Sequence, residues 1–170
     1  DLGSIEVGNE GIASGDEGSR RDFLLSILDR PMRVCGMVPN AGEPGGGPFW
    51  VRGRHGELTR QIVESAQVDA NAPEQQRIFS SATHFNPVDL VCGVRDWQGR
   101  CFDLRKHVDP DAVFLSRKSY EGRNLKALEH PGLWNGAMAD CTTIFVEVPL
   151  YVFNPVKTAL DLLRPEHQPG

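Results

Sequence analysis

The chain has 170 residues, of which 39% are hydrophobic and 24% charged, a balance typical of a globular domain with a core of its own. Its net charge of -5 argues against a nucleic-acid-binding face, because binding a duplex normally needs a basic stripe. No apolar run approaches a membrane span, and the four cysteines lack the CxxC spacing and the density of a disulfide scaffold. We therefore expect a cytoplasmic protein with reduced thiols and with neither nucleic acid nor membrane as a partner.

The first twenty residues are rich in Gly, Glu and Asp, which is typical of a linker rather than of a packed element. We expect residues 1–20 to be a flexible linker or a truncation junction, and residues 21–170 to form a single α/β domain that is part of a longer parent domain. Apolar positions at helical spacing predict a short helix from Arg21 to Arg30, closed by Pro31. The next segment, Arg33 to Val38, is typical of a buried strand.

Three successive glycines, Gly45, Gly46 and Gly47, follow that strand in a loop rich in Gly and Pro. Without Cβ atoms, their backbone N–H groups can approach a ligand closely, so the loop is suited to line a sugar or phosphate site. The spacing matches neither the P-loop nor the Rossmann fingerprint. A tight connection without any ligand is the other interpretation, since glycine supplies turn geometry in many loops.

The following elements are predicted to be mostly strands. A turn at Gly53 to Glu57 suggests a hairpin, and Gln61 to Val68 reads as a strand interrupted by Glu64, which either faces water or points into a cleft. Asn86 precedes another apolar strand. His84 lies nearby, but no second histidine stands at metal-ligand spacing, so we predict no metal site.

The last third of the chain is predicted to continue this alternation of strands and helices. Asn124 to Glu129 is compatible with a strand, and Trp134 to Val146 with a helix that has Asn135 as its N-cap and ends before Pro149.

A single lysine, Lys157, stands in a Pro-bounded turn near the C-terminus. Pro155 fixes the backbone ahead of it, and Thr158 and Asp161 stand where a final helix is expected to begin. A lysine held at such a turn can act as a point charge for phosphate. The alternative is an ordinary solvated lysine beside a helix start.

Several strings resemble an uncharacterised bacterial group, domain-of-unknown-function family 4301, over nearly everything after Arg21. They are Arg33 to Val38, Gly42 to Phe49, Ala82 to Arg95 and Gly132 to Asp140. The order of the motifs, ending with Phe153 to Thr158, is more distantly similar to the C-terminal half of the UDP-sugar pyrophosphorylases, which are GT-A-like nucleotidyltransferases.

The distant resemblance implies an α/β fold with a mixed sheet and flanking helices, resembling the C-terminal part of a GT-A-like nucleotidyltransferase. It further implies that Lys157 is catalytic and contacts phosphate oxygens, that the backbone of Gly45, Gly46 and Gly47 approaches the sugar, and that Glu64 and Asn86 hydrogen-bond its hydroxyls. The expected partner is a sugar phosphate or a nucleotide sugar.

The complete parent would then use Mg²⁺ to transfer a nucleotidyl group from a nucleoside triphosphate to a sugar 1-phosphate. Because the N-terminal Gly-rich nucleotide loop of those enzymes is missing here, we expect this chain to be inactive alone and to need the N-terminal half. Two other hypotheses stay open: a non-catalytic carbohydrate-binding or interaction module, and motifs that serve only the fold.

Overall fold

A computed structural model describes residues 16–42, 45–53, 56–87, 90–156 and 158–169. Within these ranges the chain forms the helices α1 (Glu17–Leu28) and α2 (Pro73–Ser80). The strands are β1 (Met32–Pro39), β2 (Gly47–Arg52), β3 (Leu58–Val63), β4 (His84–Phe85), β5 (Leu90–Gly93), β6 (Phe114–Tyr120), β7 (Arg123–Glu129) and β8 (Thr142–Glu147). Neither described α-helix has the length and hydropathy needed to span a membrane.

Strand β1 is the centre of a mixed four-stranded sheet. It pairs antiparallel with β4 and β5 and parallel with β8. Since residues 32–35 of β1 pair with both β5 and β8, these two strands flank it on opposite edges. Two antiparallel hairpins, β2–β3 and β6–β7, complete the strands. The predicted α/β class with a mixed sheet is confirmed.

The buried cluster next to the candidate site lies on one face of this sheet, and Val38 on the opposite face of β1 is fully buried as well. Side chains alternate along a strand, and Arg33, Cys35 and Met37 of β1 are all buried on the same face. Cys35 and Met37 pack with Ile62 of β3, and partly buried Leu90 and Phe145 join this cluster. Strand β3 therefore lies against the inner face of the sheet, and its C-terminal end marks where the candidate site begins.

Helix α1 begins inside the segment that the sequence predicts to be a linker. The carboxylate of Asp16 caps it by accepting a hydrogen bond from the Ser19 N–H at 2.7 Å, and the helix ends at Leu28, ahead of Pro31 as expected. Residues 1–15 lie outside the described residues.

The strand predicted over Gln61 to Val68 is wrong beyond Val63. The chain turns there into a short 3₁₀ helix, Ser65–Gln67, and the side-chain oxygen of Gln67 accepts a hydrogen bond from the Glu64 N–H at 2.9 Å. Glu64 thus occupies the end of β3 rather than its middle, and this end position leaves its side chain half-buried.

The predicted helix over Trp134 to Val146 is also wrong. The chain forms a turn and then β8, which pairs with β1 over six residues. The β-branched run Thr142, Thr143 and Ile144 favours this extended conformation, and the parallel partner supplies its hydrogen bonds. Asn135 is not an N-cap but a buried side chain in the turn before β8.

The C-terminal segment forms a short helix close to where the sequence predicts one. A 3₁₀ helix spans Ala159–Leu163, and the carboxylate of Asp161 accepts hydrogen bonds from the N–H and the hydroxyl of Thr158, at 2.7 and 3.1 Å. Lys157 itself lies outside the described residues.

Candidate functional site

The glycine loop, Gly45 to Gly47, is anchored against β4. The Asn86 N–H donates a hydrogen bond to the Gly46 carbonyl at 2.8 Å. A Cβ built on Gly45 would lie 3.8 Å from the Phe85 ring. The loop and Asn86 are therefore neighbours, although about forty residues of chain separate them.

The carboxylate of Glu64 fills the space that a side chain at Gly46 would occupy. A Cβ built on Gly46 would lie 2.9 Å from Glu64 Oε2 and 3.0 Å from Ile62 Cγ2. Burial raises the pKa of the Glu64 carboxyl, and a hydrogen bond from the Asn135 side chain opposes this rise. Glycine at position 46 thus lets a half-buried carboxylate lie directly against bare backbone.

The amide of Asn86 is held inside the protein. Its Nδ2 donates to the Gly36 carbonyl at 2.8 Å, and its Oδ1 accepts from Asn135 Nδ2 at 3.0 Å. Both asparagine side chains are buried. Asn86 therefore connects β1, the glycine loop and the turn before β8, and it supports the carboxylate of Glu64 through Asn135.

A fully buried arginine lies behind this arrangement. Arg33, with none of its surface exposed, donates from Nε to Thr143 Oγ1 at 2.8 Å, from Nη1 to the Asn135 carbonyl at 2.8 Å, and from Nη2 to Gln61 Oε1 at 2.5 Å. These three acceptors are neutral oxygens, and burial lowers the pKa of the guanidinium. We call Arg33, Gln61, Asn86, Asn135 and Thr143 the buried polar network.

The predicted site residues thus fall into two groups. Gly45, Gly46, Gly47, Glu64 and Asn86 come together at one end of β3, whereas Lys157 lies outside the described residues. Three members of the buried polar network, Arg33, Gln61 and Thr143, were not among the predicted site residues. The sequence does contain one signal for this network: Arg33 is a charged residue within the otherwise apolar strand β1, at a position that faces the core.

The C-terminal segment reaches the same region through an aromatic contact. The Phe153 ring packs edge-on against the Phe85 ring, with 5.4 Å between the centroids. Phe85 directly precedes Asn86 and lies beside Gly45. The segment that leads toward Lys157 therefore starts next to the glycine loop.

The described residues contain no group of three or more His, Cys, Asp or Glu side chains that could hold a metal ion. His84 lies beside Thr83, with 2.8 Å between Nδ1 and Oγ1, and Lys118 is paired with Glu129. Among the polar side chains gathered at the end of β3, the half-buried carboxylate of Glu64 is the group suited to accept hydrogen bonds from hydroxyls, since Asn86 and Asn135 are buried.

This arrangement defines an α/β protein with a mixed sheet and with a carboxylate and amides gathered around a glycine loop. The chain belongs to the family described as Domain of unknown function (DUF4301), whose model matches residues 5–168. The family prediction is confirmed. A comparison with curated proteins gives no match.

Two solved structures of UDP-glucose pyrophosphorylase from Leishmania major are similar to this chain. One, a point mutant in complex with UDP-glucose, has 20% sequence identity and a TM-score of 0.45, and the match covers 89% of this chain and 34% of that one. The other belongs to a pair of open and closed structures, with 20% identity, a TM-score of 0.47, and coverage of 90% and 34%. The chain thus spans about a third of the length of these enzymes.

Replacing Gly46 with alanine is expected to destabilise the protein by about 1–3 kcal/mol, because the new methyl group would overpack against Ile62, which is 1% exposed. Thermal unfolding followed by circular dichroism measures this loss. Gly93→Ala is the matched control, because a Cβ there meets only Met32 at an ordinary 3.7 Å. Equal midpoints for the two variants would contradict the close approach of Glu64 and Ile62 to Gly46.

Proposed function

We propose that this chain is the sugar-phosphate-binding part of a nucleotidyltransferase-like protein. In the complete parent, a sugar 1-phosphate oxygen attacks the α-phosphorus of a nucleoside triphosphate, which gives a nucleotide sugar and releases pyrophosphate. The observation that supports the proposal best is the half-buried carboxylate of Glu64, which lies against the bare backbone of Gly46 and is hydrogen-bonded by Asn135.

This geometry is suited to a sugar because hydroxyl groups need fixed acceptors and donors at close range. An ionised carboxylate accepts hydrogen bonds from two neighbouring hydroxyls, and glycine at position 46 leaves the space that the Glu64 carboxylate occupies. The buried polar network fixes Asn135, so little side-chain freedom is lost when a ligand binds. The hydrogen bond from Asn135 also offsets part of the cost of burying the Glu64 carboxylate.

In this proposal Lys157 neutralises negative charge on the phosphate of the bound sugar. Nucleotidyl transfer depends mainly on positioning and on stabilising charge that spreads over phosphate oxygens, which a fixed ammonium group does well. Mg²⁺ belongs to the complete parent. The ion is assigned no step here.

Isothermal titration calorimetry of this chain tests the proposal. Hexose 1-phosphates and UDP-sugars are expected to bind, and free nucleoside triphosphates are expected not to bind, with or without Mg²⁺. Lys157→Ala is expected to weaken binding about tenfold or more while leaving the thermal midpoint nearly unchanged, since the proposal gives this lysine a role in binding and none in packing. Lys126→Ala, an exposed lysine on β7, is the matched control and should bind as the wild type does.

Unchanged affinity in Lys157→Ala would remove Lys157 from the site. If the folded wild-type chain bound no sugar phosphate and no UDP-sugar, the proposed function itself would be contradicted.

A further inference from the structure

A cleft of about 500 Å³ lies in the C-terminal segment, and Phe153, whose ring contacts Phe85, forms part of its lining. Its apolar lining comes from Leu150, Tyr151, Phe153 and Pro155, and its polar lining includes Asn154, Asp161, Arg164 and Glu166. None of these described lining residues has a role in the function proposed above. Its volume is in the range of small-molecule sites in proteins.

The charges of the lining argue against an anionic ligand. Arg164 is paired with Asp161, at 2.9 Å between Nη2 and Oδ1, and Glu166 adds a second carboxylate to the wall. The described lining residues therefore carry a net charge of -1, from two carboxylates and one guanidinium. A phosphate would have to compete with Asp161 for the guanidinium.

The aromatic residues favour a ligand with one apolar face. Tyr151 exposes 75% of its surface, although a tyrosine ring gains free energy when it is covered. Asn154 holds the loop in shape, because its Nδ2 donates to the Tyr151 carbonyl. A flat ring lying on Tyr151 would meet carboxylate, amide and guanidinium groups around its edge.

We propose that this C-terminal cleft is a carbohydrate subsite, separate from the Glu64 site, that binds a neutral pyranose ring. The C–H face of the ring covers Tyr151 and the side wall of Phe153, while its hydroxyls donate to the carboxylates and accept from Arg164. The inference does not depend on nucleotidyl transfer, since it assigns a ligand without phosphate to a different set of residues.

Saturation-transfer NMR with methyl glucoside, methyl galactoside and N-acetylglucosamine tests the subsite on the intact chain. At least one of these neutral sugars is expected to receive saturation from the wild-type protein. Tyr151→Ala should abolish the effect, and Arg164→Ala should weaken it. Tyr120→Ala is the matched control, because Tyr120 is 67% exposed but lies at the end of β6.

Absence of transfer to all three sugars, or an unchanged effect in Tyr151→Ala, would overturn the subsite. Inorganic phosphate and tetramethylammonium are added as competitors, and loss of the sugar signal on addition of either ion would also overturn the assignment to a neutral ring. Glu64→Gln separates the two proposals. This variant is expected to bind hexose 1-phosphates more weakly and to bind the neutral sugars as the wild type does. If the wild-type chain binds sugar phosphates but gives no signal with any neutral sugar, the subsite is contradicted and the proposed function is not.

Discussion

Replacing Arg33 with alanine is expected to lower the free energy of unfolding by about 3–5 kcal/mol, because it removes a large buried side chain and leaves buried acceptors unpaired. The guanidinium is completely buried and satisfies Thr143, Gln61 and the Asn135 carbonyl together. Its loss would leave three polar oxygens facing a cavity. Since one of these contacts fixes Asn135, the support of the Glu64 carboxylate is expected to weaken as well.

Denaturant unfolding of the variant and the wild type measures the loss, and sugar 1-phosphate titration of the same samples measures the effect on the site. Arg52→Ala is the matched control. Arg52 is exposed, and its Nη1 donates a hydrogen bond to the Gly56 carbonyl at 3.3 Å on the hairpin, so its removal should change stability by less than about 0.5 kcal/mol. A loss below about 1 kcal/mol for Arg33→Ala would contradict the structural role of the network.

Replacing Glu64 with glutamine is expected to change stability and binding in opposite directions. Because burial raises the pKa of the Glu64 carboxyl in the folded state above 4.5, the folded protein keeps this proton to a higher pH than the unfolded chain does. The stability that this group contributes is present below its unfolded pKa and is lost as pH rises through the folded pKa. At neutral pH the ionised, half-buried carboxylate therefore lowers the free energy of unfolding, whereas a neutral amide in its place would not.

The Glu64→Gln variant should thus be more stable than the wild type at neutral pH, with the difference vanishing well below pH 4.5. Its affinity for hexose 1-phosphates should fall about tenfold or more, because an amide replaces an ionised acceptor. Denaturant unfolding at several pH values and calorimetric titration measure the two effects. Glu147→Gln, at the exposed end of β8, is the matched control and should change neither. A variant that loses stability at neutral pH and binds normally would indicate a purely structural Glu64.

The local elements of the fold follow from local patterns. The apolar run of β1, the hairpin turn at Gly53 to Glu57 and the cap at Thr158 are each specified by residues close in sequence. Strand β8 is different. Its apolar positions fit a helix as well as a strand, and the parallel pairing with β1, more than a hundred residues earlier, decides between them.

The buried polar network is beyond local prediction for the same reason. The acceptors for Arg33 stand 28, 102 and 110 residues away, so no short motif contains them. The gathering of Gly46, Glu64 and Asn86 was expected only from the resemblance to the pyrophosphorylases. The structure adds that Asn86 is turned inward, which makes Glu64 the half-exposed member of the three.

In the proposed function, a sugar phosphate binds where the Glu64 carboxylate meets the glycine loop. This binding can be mapped by following the amide chemical shifts of the isotope-labelled chain during titration with hexose 1-phosphates. We expect saturable shifts that are largest at Gly46, Gly47 and Glu64 and that disappear in Glu64→Gln. Shifts confined to the β6–β7 hairpin or to α1, or a spectrum that does not respond at all, would contradict it.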